Sequence, residues 1–431
     1  MAARWVAIVV TLGTAGVLMP PPAAGAGETC LGEPATIVAG RGQPTFGTAG
    51  RDVIVVPRGS GAVWAGGGDD LVCIVDAPGR SNLFTRVMAG AGDDRVATTS
   101  TQVVLEPGTS ISVQLGDGDD EFAGGEESEW VTGGDDWTPD TGSDVIASGG
   151  GDDVVTSGLT ETPNSDRIDT GTGRDLVDLA GRLAGPAMLT GGVGRDLLWV
   201  HTDPPYFSWR ASARPAVVLD NTTGTLDVGD ERWTWWTDFE GFDLSSFGGR
   251  DVTVVGAAID EFVLLGERGT YDVDLNDGDD LVALGSGAVV PEGRYVGGSG
   301  RDHLLLFATG RLRVDLGGSI DSRAPGRHHR SVLAGFEDAW VGARHVRLRG
   351  NRDDNRLRAS GLRVAVDGLA GSDRIKVSGR VWSVARGGRG HDLLIGHRGD
   401  DVLLGGGGQD EAQGMDGPDR CDAESRVDCE T

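Results

Sequence analysis

Residues 387–422 read GGRGHDLLI, GHRGDDVLL, GGGGQDEAQ and GMDGPDRCD, which are four consecutive segments of nine residues. Glycine occupies positions 1 and 4 of every segment, and aspartate occupies position 6 of every segment. Position 8 is Leu394, Leu403, Ala412 and Cys421 in turn. A short fixed period of this kind indicates a repetitive fold, in which each unit buries its apolar side chains only against its neighbours.

Single copies of the glycine–aspartate half of this pattern occur along most of the chain. They end at Asp52, Asp70, Asp94, Asp120, Asp144, Asp153, Asp175, Asp196, Asp251, Asp280, Asp302 and Asp373. The residue two positions later is large and apolar in every copy except the one at Asp251, where it is Thr253. A short strand after each aspartate would direct that residue inward, because side chains alternate along a strand. The copies are irregularly spaced, so the longer gaps are predicted to hold strands without such a turn.

These repeats resemble the RTX, or haemolysin-type, repeat, Gly-Gly-x-Gly-x-Asp-x-U-x, in which U is a large apolar residue. The resemblance is strong over 387–422 and looser before it. It implies an all-β fold, a right-handed parallel β-roll or β-solenoid, in which two segments complete one coil and the turns bind Ca²⁺. The implied tail ligands are Asp392 paired with Asp410, Asp401 paired with Asp419, and the carbonyls of Gly388, Gly390, Gly399, Gly406 and Gly408. The implied ligands in the looser copies are Asp70, Asp94, Asp120, Asp153 and Asp280.

The chemistry of the motif suits a calcium site. Glycine permits a positive φ and close approach of neighbouring backbones. Ca²⁺ takes six to eight oxygen ligands, and mixed carbonyl and carboxylate sets suit it. The alternative is that each aspartate is a turn-forming residue bonded to nearby backbone. That alternative applies most to the single copies, some of which carry an arginine directly before the aspartate, as at Arg51 and Arg174.

The composition excludes several classes of protein. The chain has 431 residues, 73 of them glycine, and its net charge is −28. Glycine does not recur at every third residue, which excludes collagen, and 38% hydrophobic residues argue against general disorder. A chain this acidic is predicted to attract cations such as calcium and not to bind nucleic acid.

Residues 1–26 are predicted to be a cleaved secretory signal. Arg4 precedes an apolar stretch, and Ala24 to Ala26 match the small-x-small cleavage pattern. No later segment is apolar enough to span a membrane, so we expect a secreted, extracellular protein. The four cysteines of an exported chain favour disulfides. Of the three possible pairings, we expect the local one, which joins Cys30 to Cys73 and Cys421 to Cys429.

The rest of the chain is divided by the character of its repeats. We expect a degenerate solenoid over 27–200, a solenoid with two longer modules and an aromatic insertion over 201–365, and a nonapeptide roll with a disulfide cap over 366–431. Each longer module contains a Phe-Glu pair, Phe239-Glu240 or Phe336-Glu337. An inward Glu240 or Glu337 is expected to accept hydrogen bonds from backbone N–H groups where the coil bends.

The aromatic insertion has two interpretations. It contains Trp199, Tyr206, Phe207, Trp209, Trp233, Trp235, Trp236, Phe239 and Phe242. These rings predict either a platform that stacks on carbohydrate or ordinary packing inside a wide coil, and we favour packing.

No catalytic site is predicted. The chain lacks the His-Glu-x-x-His and Gly-x-Ser-x-Gly motifs, and His328 and His329 are expected in a solvated basic loop. We therefore expect a non-enzymatic calcium-binding protein with a structural or surface-interaction role, whose partners are calcium ions and a cell-surface polysaccharide or protein. The alternative is a calcium-dependent, carbohydrate-active β-helix enzyme similar to a polysaccharide lyase.

Overall fold

The computed structural model describes residues 28–76, 84–99, 111–134, 142–158, 165–180, 182, 188–201, 215–285 and 287–430. About 60% of the chain is strand and 1% is helix, and parallel strands stack into a β-solenoid of about 16 turns. The predicted all-β solenoid is therefore confirmed. The predicted signal, 1–26, lies outside the described residues.

The strands are short because each coil turns sharply at a glycine-rich corner. The first fourteen are β1 (Thr29–Cys30), β2 (Glu33–Pro34), β3 (Ile37–Val38), β4 (Thr45–Phe46), β5 (Val53–Pro57), β6 (Gly61–Gly67), β7 (Leu71–Val75), β8 (Thr85–Ala91), β9 (Arg95–Thr98), β10 (Ile111–Asp117), β11 (Glu121–Ala123), β12 (Glu129–Thr132), β13 (Val145–Ala147) and β14 (Val154–Ser157). The next fourteen are β15 (Arg167–Asp169), β16 (Thr172–Gly173), β17 (Leu176–Ala180), β18 (Met188–Thr190), β19 (Val193–Gly194), β20 (Leu197–His201), β21 (Val217–Asp220), β22 (Thr225–Val228), β23 (Glu231–Thr237), β24 (Gly241–Leu244), β25 (Asp251–Val255), β26 (Phe262–Leu265), β27 (Thr270–Asp274) and β28 (Leu281–Leu284). The last fourteen are β29 (Glu292–Val296), β30 (His303–Phe307), β31 (Arg311–Asp315), β32 (Ser319–Ala324), β33 (Arg327–Ala334), β34 (Asp338–Gly342), β35 (His345–Arg349), β36 (Arg356–Ala370), β37 (Arg374–Arg389), β38 (Leu393–Ile395), β39 (Asp400–Gly407), β40 (Glu411–Gln413), β41 (Arg420–Asp422) and β42 (Ser425–Val427). One 3₁₀ turn spans Ser245–Phe247.

The parallel strands form two stacks, and the chain alternates between them. The first stack begins with β3, β5, β7, β9, β11, β13, β15 and β18. The second begins with β4, β6, β8, β10, β12, β14, β17 and β20. The long strands β36 and β37 bend at their middles, so one half of each lies in each stack.

The core lies between the two stacks. It is built from columns of apolar residues that occupy the same register position in successive coils. One column runs through Val72, Val96, Phe122, Ile146, Ile168 and Leu189, which face their counterparts in adjacent coils and are at most 1% exposed. In the tail, Leu394 pairs with Ala412 and Leu403 pairs with Cys421. The position-8 residues of segments two apart therefore stack, because two nine-residue segments complete one coil.

The two longer modules differ from a simple wide coil. In the first, β21, β22 and β23 form an antiparallel meander inside the first stack, and β31, β32 and β33 repeat this arrangement in the second module. Phe239 and Phe336 are buried where each meander returns to the coil. The extra residues of each module therefore extend the sheet by antiparallel pairing, which the parallel repeat did not predict.

Both ends of the solenoid carry a disulfide. Cys30 is bonded to Cys73, with a Cα–Cα distance of 5.4 Å, and Cys421 is bonded to Cys429, with a Cα–Cα distance of 5.8 Å. The expected local pairing is confirmed. Among the described residues, no helix is long and apolar enough to cross a membrane.

Candidate metal centre in the glycine-rich turns

The predicted acidic ligands lie at equivalent positions, immediately before the strand that follows each turn or, for Asp401, at the start of that strand. They are buried, with exposed fractions of 3% or less, at Asp70, Asp94, Asp120, Asp153, Asp280, Asp392, Asp401, Asp410 and Asp419. Burial of this many carboxylates requires hydrogen bonds or counter-charges to offset their lost hydration.

One oxygen of each carboxylate is bonded along the solenoid axis. The backbone N–H of Asp52 donates to Asp70 Oδ1 at 2.7 Å, and that of Asp70 donates to Asp94 Oδ1 at 2.7 Å. The series continues through Asp120, Asp144 and Asp166 with distances of 2.7–3.0 Å. Each aspartate therefore accepts a hydrogen bond from the equivalent residue one coil earlier, and the six side chains form a carboxylate ladder along one corner.

A second carboxylate ladder follows the opposite corner, before the strands of the second stack. Its members are Glu129, Asp153, Asp175, Asp196, Glu240, Glu261, Asp280, Asp302, Glu337, Asn355, Asp373, Asp392, Asp410 and Glu424. It continues across both antiparallel meanders and is interrupted after Glu240 and after Glu337, in the coil that follows each meander. Glu240 and Glu337 accept from the N–H groups of Asp196 and Asp302, each at 2.9 Å, as expected for these inward glutamates.

The four tail aspartates lie in two adjacent pairs. The N–H of Asp392 donates to Asp410 Oδ1, and the N–H of Asp401 donates to Asp419 Oδ1, each at 2.9 Å. The first pair belongs to the second ladder. The second pair lies on the opposite corner, where the hydroxyl of Ser383 donates to Asp401 Oδ1.

The second oxygen of most of these carboxylates points back toward the first glycine of its own turn. Oδ2 of Asp373, Asp392, Asp410 and Asp419 is buried and has no hydrogen-bond partner within the described part of the chain. A methyl group built on Gly387 would overlap Asp392 Oδ2 and would lie 2.6 Å from the carbonyl oxygen of Gly405 in the next coil. A side chain at this position would therefore occupy a place that is bordered by one carboxylate oxygen and one carbonyl oxygen.

The two aspartates of a Gly-Asp-Asp segment accept hydrogen bonds from opposite directions along the solenoid axis. The first aspartate is exposed, and it accepts from the coil that follows: the N–H of Asp119 donates to Asp93 Oδ1 at 3.0 Å. The second is buried, and it accepts from the coil that precedes. Both aspartates therefore accept backbone N–H groups of adjacent coils. This agrees with the turn-former interpretation for one oxygen of each carboxylate.

Burial raises the pKa of the ladder carboxyl groups, and the negative charge of ladder neighbours raises it further against the opposing effect of the N–H donors. The pKa rises to about 7 at Asp94, Asp280 and Asp373. It rises to about 6 at Asp70, Asp175, Asp196 and Asp302, and in the same direction at Asp392 and Asp419. The folded chain therefore holds protons on these groups more tightly than the unfolded chain does, unless a cation neutralises them.

In EDTA, the protein is expected to melt at a lower temperature at pH 8 than at pH 5. A carboxyl group with a raised pKa contributes most to stability when it is protonated, and this contribution disappears as the pH rises through 6 and 7. Carboxyl groups with lowered pKa, such as Asp152 and Glu424, contribute in the opposite direction but titrate below pH 5. Asp94→Asn should reduce the pH dependence, and Asp93→Asn, at the exposed neighbouring position, is the matched control. A melting temperature that is higher at pH 8 would contradict the burial of charged ladders.

Several ladder members were not predicted from the sequence. Glu129, Asp166, Glu261 and Asn355 occupy the same position as the predicted aspartates but lack the glycine two residues before it. The signal that identifies them is an acidic or amide residue two positions before a buried apolar residue, as in Asp166-Arg167-Ile168. Asp251 is the opposite case, because it has the glycines but is exposed at the start of β25.

The aromatic insertion is mostly packed. Trp236, Phe239 and Phe242 are at most 3% exposed, and Trp236 lies 5.3 Å from Phe242 between ring centroids. Trp235 faces outward, with 38% of its surface exposed. Tyr206, Phe207 and Trp209 lie outside the described residues.

No group of three or more His, Cys, Asp or Glu side chains with metal-binding geometry occurs in the described ranges. No protein-family model and no curated protein sequence matches the chain.

Proposed function

We propose that this protein is an extracellular β-solenoid that binds Ca²⁺ in its glycine-rich turns, and that Ca²⁺ binding stabilises the fold. The observation that supports this most is that the Oδ2 atoms of Asp373, Asp392, Asp410 and Asp419 are buried without a hydrogen-bond partner among the described residues. They lie next to carbonyl oxygens of the following coil, and oxygen sets of this kind are what Ca²⁺ prefers.

In the tail, the residues proposed to hold calcium fall into two groups. At one corner, Asp392 and Asp410 are proposed to bind the ion together with the carbonyls of Gly388, Gly390, Gly406 and Gly408. At the other corner, Asp401 and Asp419 are proposed to do so with the carbonyl of Gly399. Bound Ca²⁺ would neutralise carboxylates that otherwise repel one another along each ladder.

Calcium is a better counter-charge than protons for a protein that works near neutral pH. Protonation would neutralise most ladder aspartates only in mildly acidic solution, because their raised pKa values are about 6 or about 7. A cation that binds only the folded chain adds to its free energy of unfolding by mass action. The two disulfides agree with an oxidising, extracellular location.

The biological role that we propose is structural or surface-interacting. The chain forms a long solenoid with a disulfide at each end and two antiparallel meanders. This arrangement presents an extended surface to a partner. The second candidate is a lyase-like carbohydrate-active enzyme. It is favoured by one observation, the cluster of exposed arginines beside Asp321 on strands β31, β35 and β36. Release of unsaturated oligosaccharides from an anionic polysaccharide would favour the enzyme.

Titration of the EDTA-treated protein with calcium tests the proposed function. A gain of β-structure or of thermal stability that Ca²⁺ produces and Mg²⁺ does not would support it. A fully folded protein in EDTA that binds no calcium would reject it and leave the turn-former interpretation.

A further inference from the structure

The basic residues of this acidic protein are concentrated in one section of the solenoid. Residues 311–398 contain 18 Arg and Lys and 9 Asp and Glu, a net charge of +9, although the whole chain carries −28. This section covers β31 to β38. Positive charge is therefore gathered on a few consecutive coils, which creates a local potential opposite to that of the rest of the surface.

Strand register aligns several of these side chains in columns. Arg311 pairs with His345, His345 pairs with Arg363, and Arg363 pairs with Trp382. In the next column, Arg313 pairs with Arg347. Paired residues on adjacent strands point to the same face, and parallel strands lie about 4.8 Å apart. Arg313 and Arg347 therefore lie one strand spacing apart along the solenoid axis, and Arg311 and Arg363 lie two strand spacings apart.

These side chains line a groove, which we call the basic groove and define by Arg311, Arg313, His345, Arg347, Arg363 and Trp382. It has a volume of about 480 Å³ and continues past Arg349 and Arg386 into a second depression of about 360 Å³. The meander β31–β33 borders it with Asp321 and Arg323. His328, which the sequence placed in a loop, lies on β33 with Nε2 3.2 Å from Asp321 Oδ2.

The guanidinium groups of the basic groove do not pair with other groups in the described part of the chain. Among the described residues, Arg311, Arg313, Arg347 and Arg363 have no side-chain ion pair or hydrogen bond, and all four are exposed. The nearby carboxylate of Asp321 is already engaged by Arg323 at 2.7 Å and by Arg330 at 3.4 Å. Partial burial and the charges of Arg311 and Arg363 lower the pKa of His345, which agrees with an uncompensated positive region.

We propose that the basic groove binds an acidic polysaccharide along the solenoid axis. Guanidinium groups bind carboxylate and sulfate oxygens through paired hydrogen bonds, and they cannot lose their charge. An acidic glycan carries about one anionic group per sugar, a spacing that columns of arginine on successive strands can follow. Trp382, at the end of the first column and 37% exposed, offers a flat apolar surface for a sugar ring.

Duplex nucleic acid fits the same groove less well. It carries one charge per about 1.7 Å of its axis, and it would extend beyond the basic coils onto strongly acidic ones. A glycan has a lower charge density, so the repulsion from the flanking coils is weaker. This proposal does not depend on calcium, because no residue of the basic groove belongs to the carboxylate ladders.

Binding to defined oligosaccharides tests this proposal. The full mature chain is titrated with a short polygalacturonate, a short sulfated glycosaminoglycan, a neutral dextran and a DNA duplex of similar length. The experiment is run in the same buffer after circular dichroism has shown that the protein is folded. The matched variants are Arg313→Ser with Arg347→Ser, and Arg356→Ser with Arg374→Ser. The second pair removes the same charge from exposed positions of the other stack in neighbouring coils.

We expect salt-sensitive binding of one or both acidic glycans, no binding of dextran, and an affinity at least tenfold lower in the Arg313/Arg347 variant. The carboxylated and sulfated probes distinguish which anionic group the basic groove prefers. The proposal is overturned if neither acidic glycan binds at low salt, or if DNA binds more tightly than both. It is also overturned if the Arg356/Arg374 variant loses as much affinity as the Arg313/Arg347 variant.

Discussion

Gly408→Ala is expected to lower the free energy of unfolding by at least about 3 kcal/mol. Gly408 has a φ of +150°, which is strained for any residue with a Cβ. The added methyl group would also overlap the carbonyl oxygen of Gly390 in the preceding coil. The methyl group is fixed to the backbone of one coil and the carbonyl belongs to the backbone of the other, so relief requires the two coils to separate. Separation would break the hydrogen bonds and core contacts between them.

Gly407→Ala is the matched control for this substitution. Gly407 is the adjacent residue, and the nearest atom to its added methyl group would be the Gly388 carbonyl oxygen at 3.9 Å. Its effect should stay within about 1 kcal/mol. Urea unfolding of both variants in calcium, followed by circular dichroism, measures the difference. Equal midpoints would show that the coils are not packed backbone to backbone at this corner.

Asp392→Asn combined with Asp410→Asn is expected to act in opposite directions with and without calcium. In EDTA, the double variant should be at least as stable as the original protein, because an amide oxygen can still accept a backbone N–H and two buried charges are removed. Asn355 already occupies this position in the same ladder, where its Oδ1 accepts from the N–H of Asn351 at 2.9 Å. In calcium, the double variant should bind the ion at least tenfold more weakly, which corresponds to about 1.4 kcal/mol.

Asp416→Asn serves as the charge control, since its side chain is 85% exposed and belongs to neither ladder. Calcium affinity measured by calorimetry and melting temperature measured with and without EDTA give both halves of the prediction. If the Asp392/Asp410 variant keeps its full calcium response, these carboxylates are turn formers and not ligands. A loss of stability in EDTA would show instead that their charged form is needed for the fold alone.

The solenoid could be predicted because its determinants are local. Glycine at the corners, aspartate at the turn exit and an apolar residue two positions later recur in nearly every coil. The glycine permits the sharp corner, the aspartate accepts a backbone N–H, and the apolar residue packs in the core. The stacking of Leu394 on Ala412 follows from the nine-residue period together with the two segments per coil that the RTX resemblance implies. The disulfides followed from the places of the four cysteines in the sequence.

The antiparallel meanders and the basic groove could not be predicted in the same way. Residues 217–237 are rich in the β-branched and aromatic residues that are typical of strands, and nothing in that composition distinguishes parallel from antiparallel pairing. Likewise, Arg311, Arg347 and Arg363 are far apart in sequence, and only the register of β31, β35 and β36 aligns them. The sequence signal was an alternation of arginine with apolar residues, as in Arg311-Leu312-Arg313, which marks exposed faces but does not say which faces adjoin.

The most direct test of calcium-stabilised folding is a titration of residues 27–431 from EDTA into calcium, followed by far-ultraviolet circular dichroism with magnesium as the control. We predict a cooperative gain of β signal, or a rise in melting temperature where the chain is already folded, with Ca²⁺ and not with Mg²⁺. A spectrum and a melting temperature that are identical in EDTA and in millimolar calcium would contradict the proposal. The stacked carboxylates would then be structural turn formers, stabilised by their backbone hydrogen bonds and by protonation.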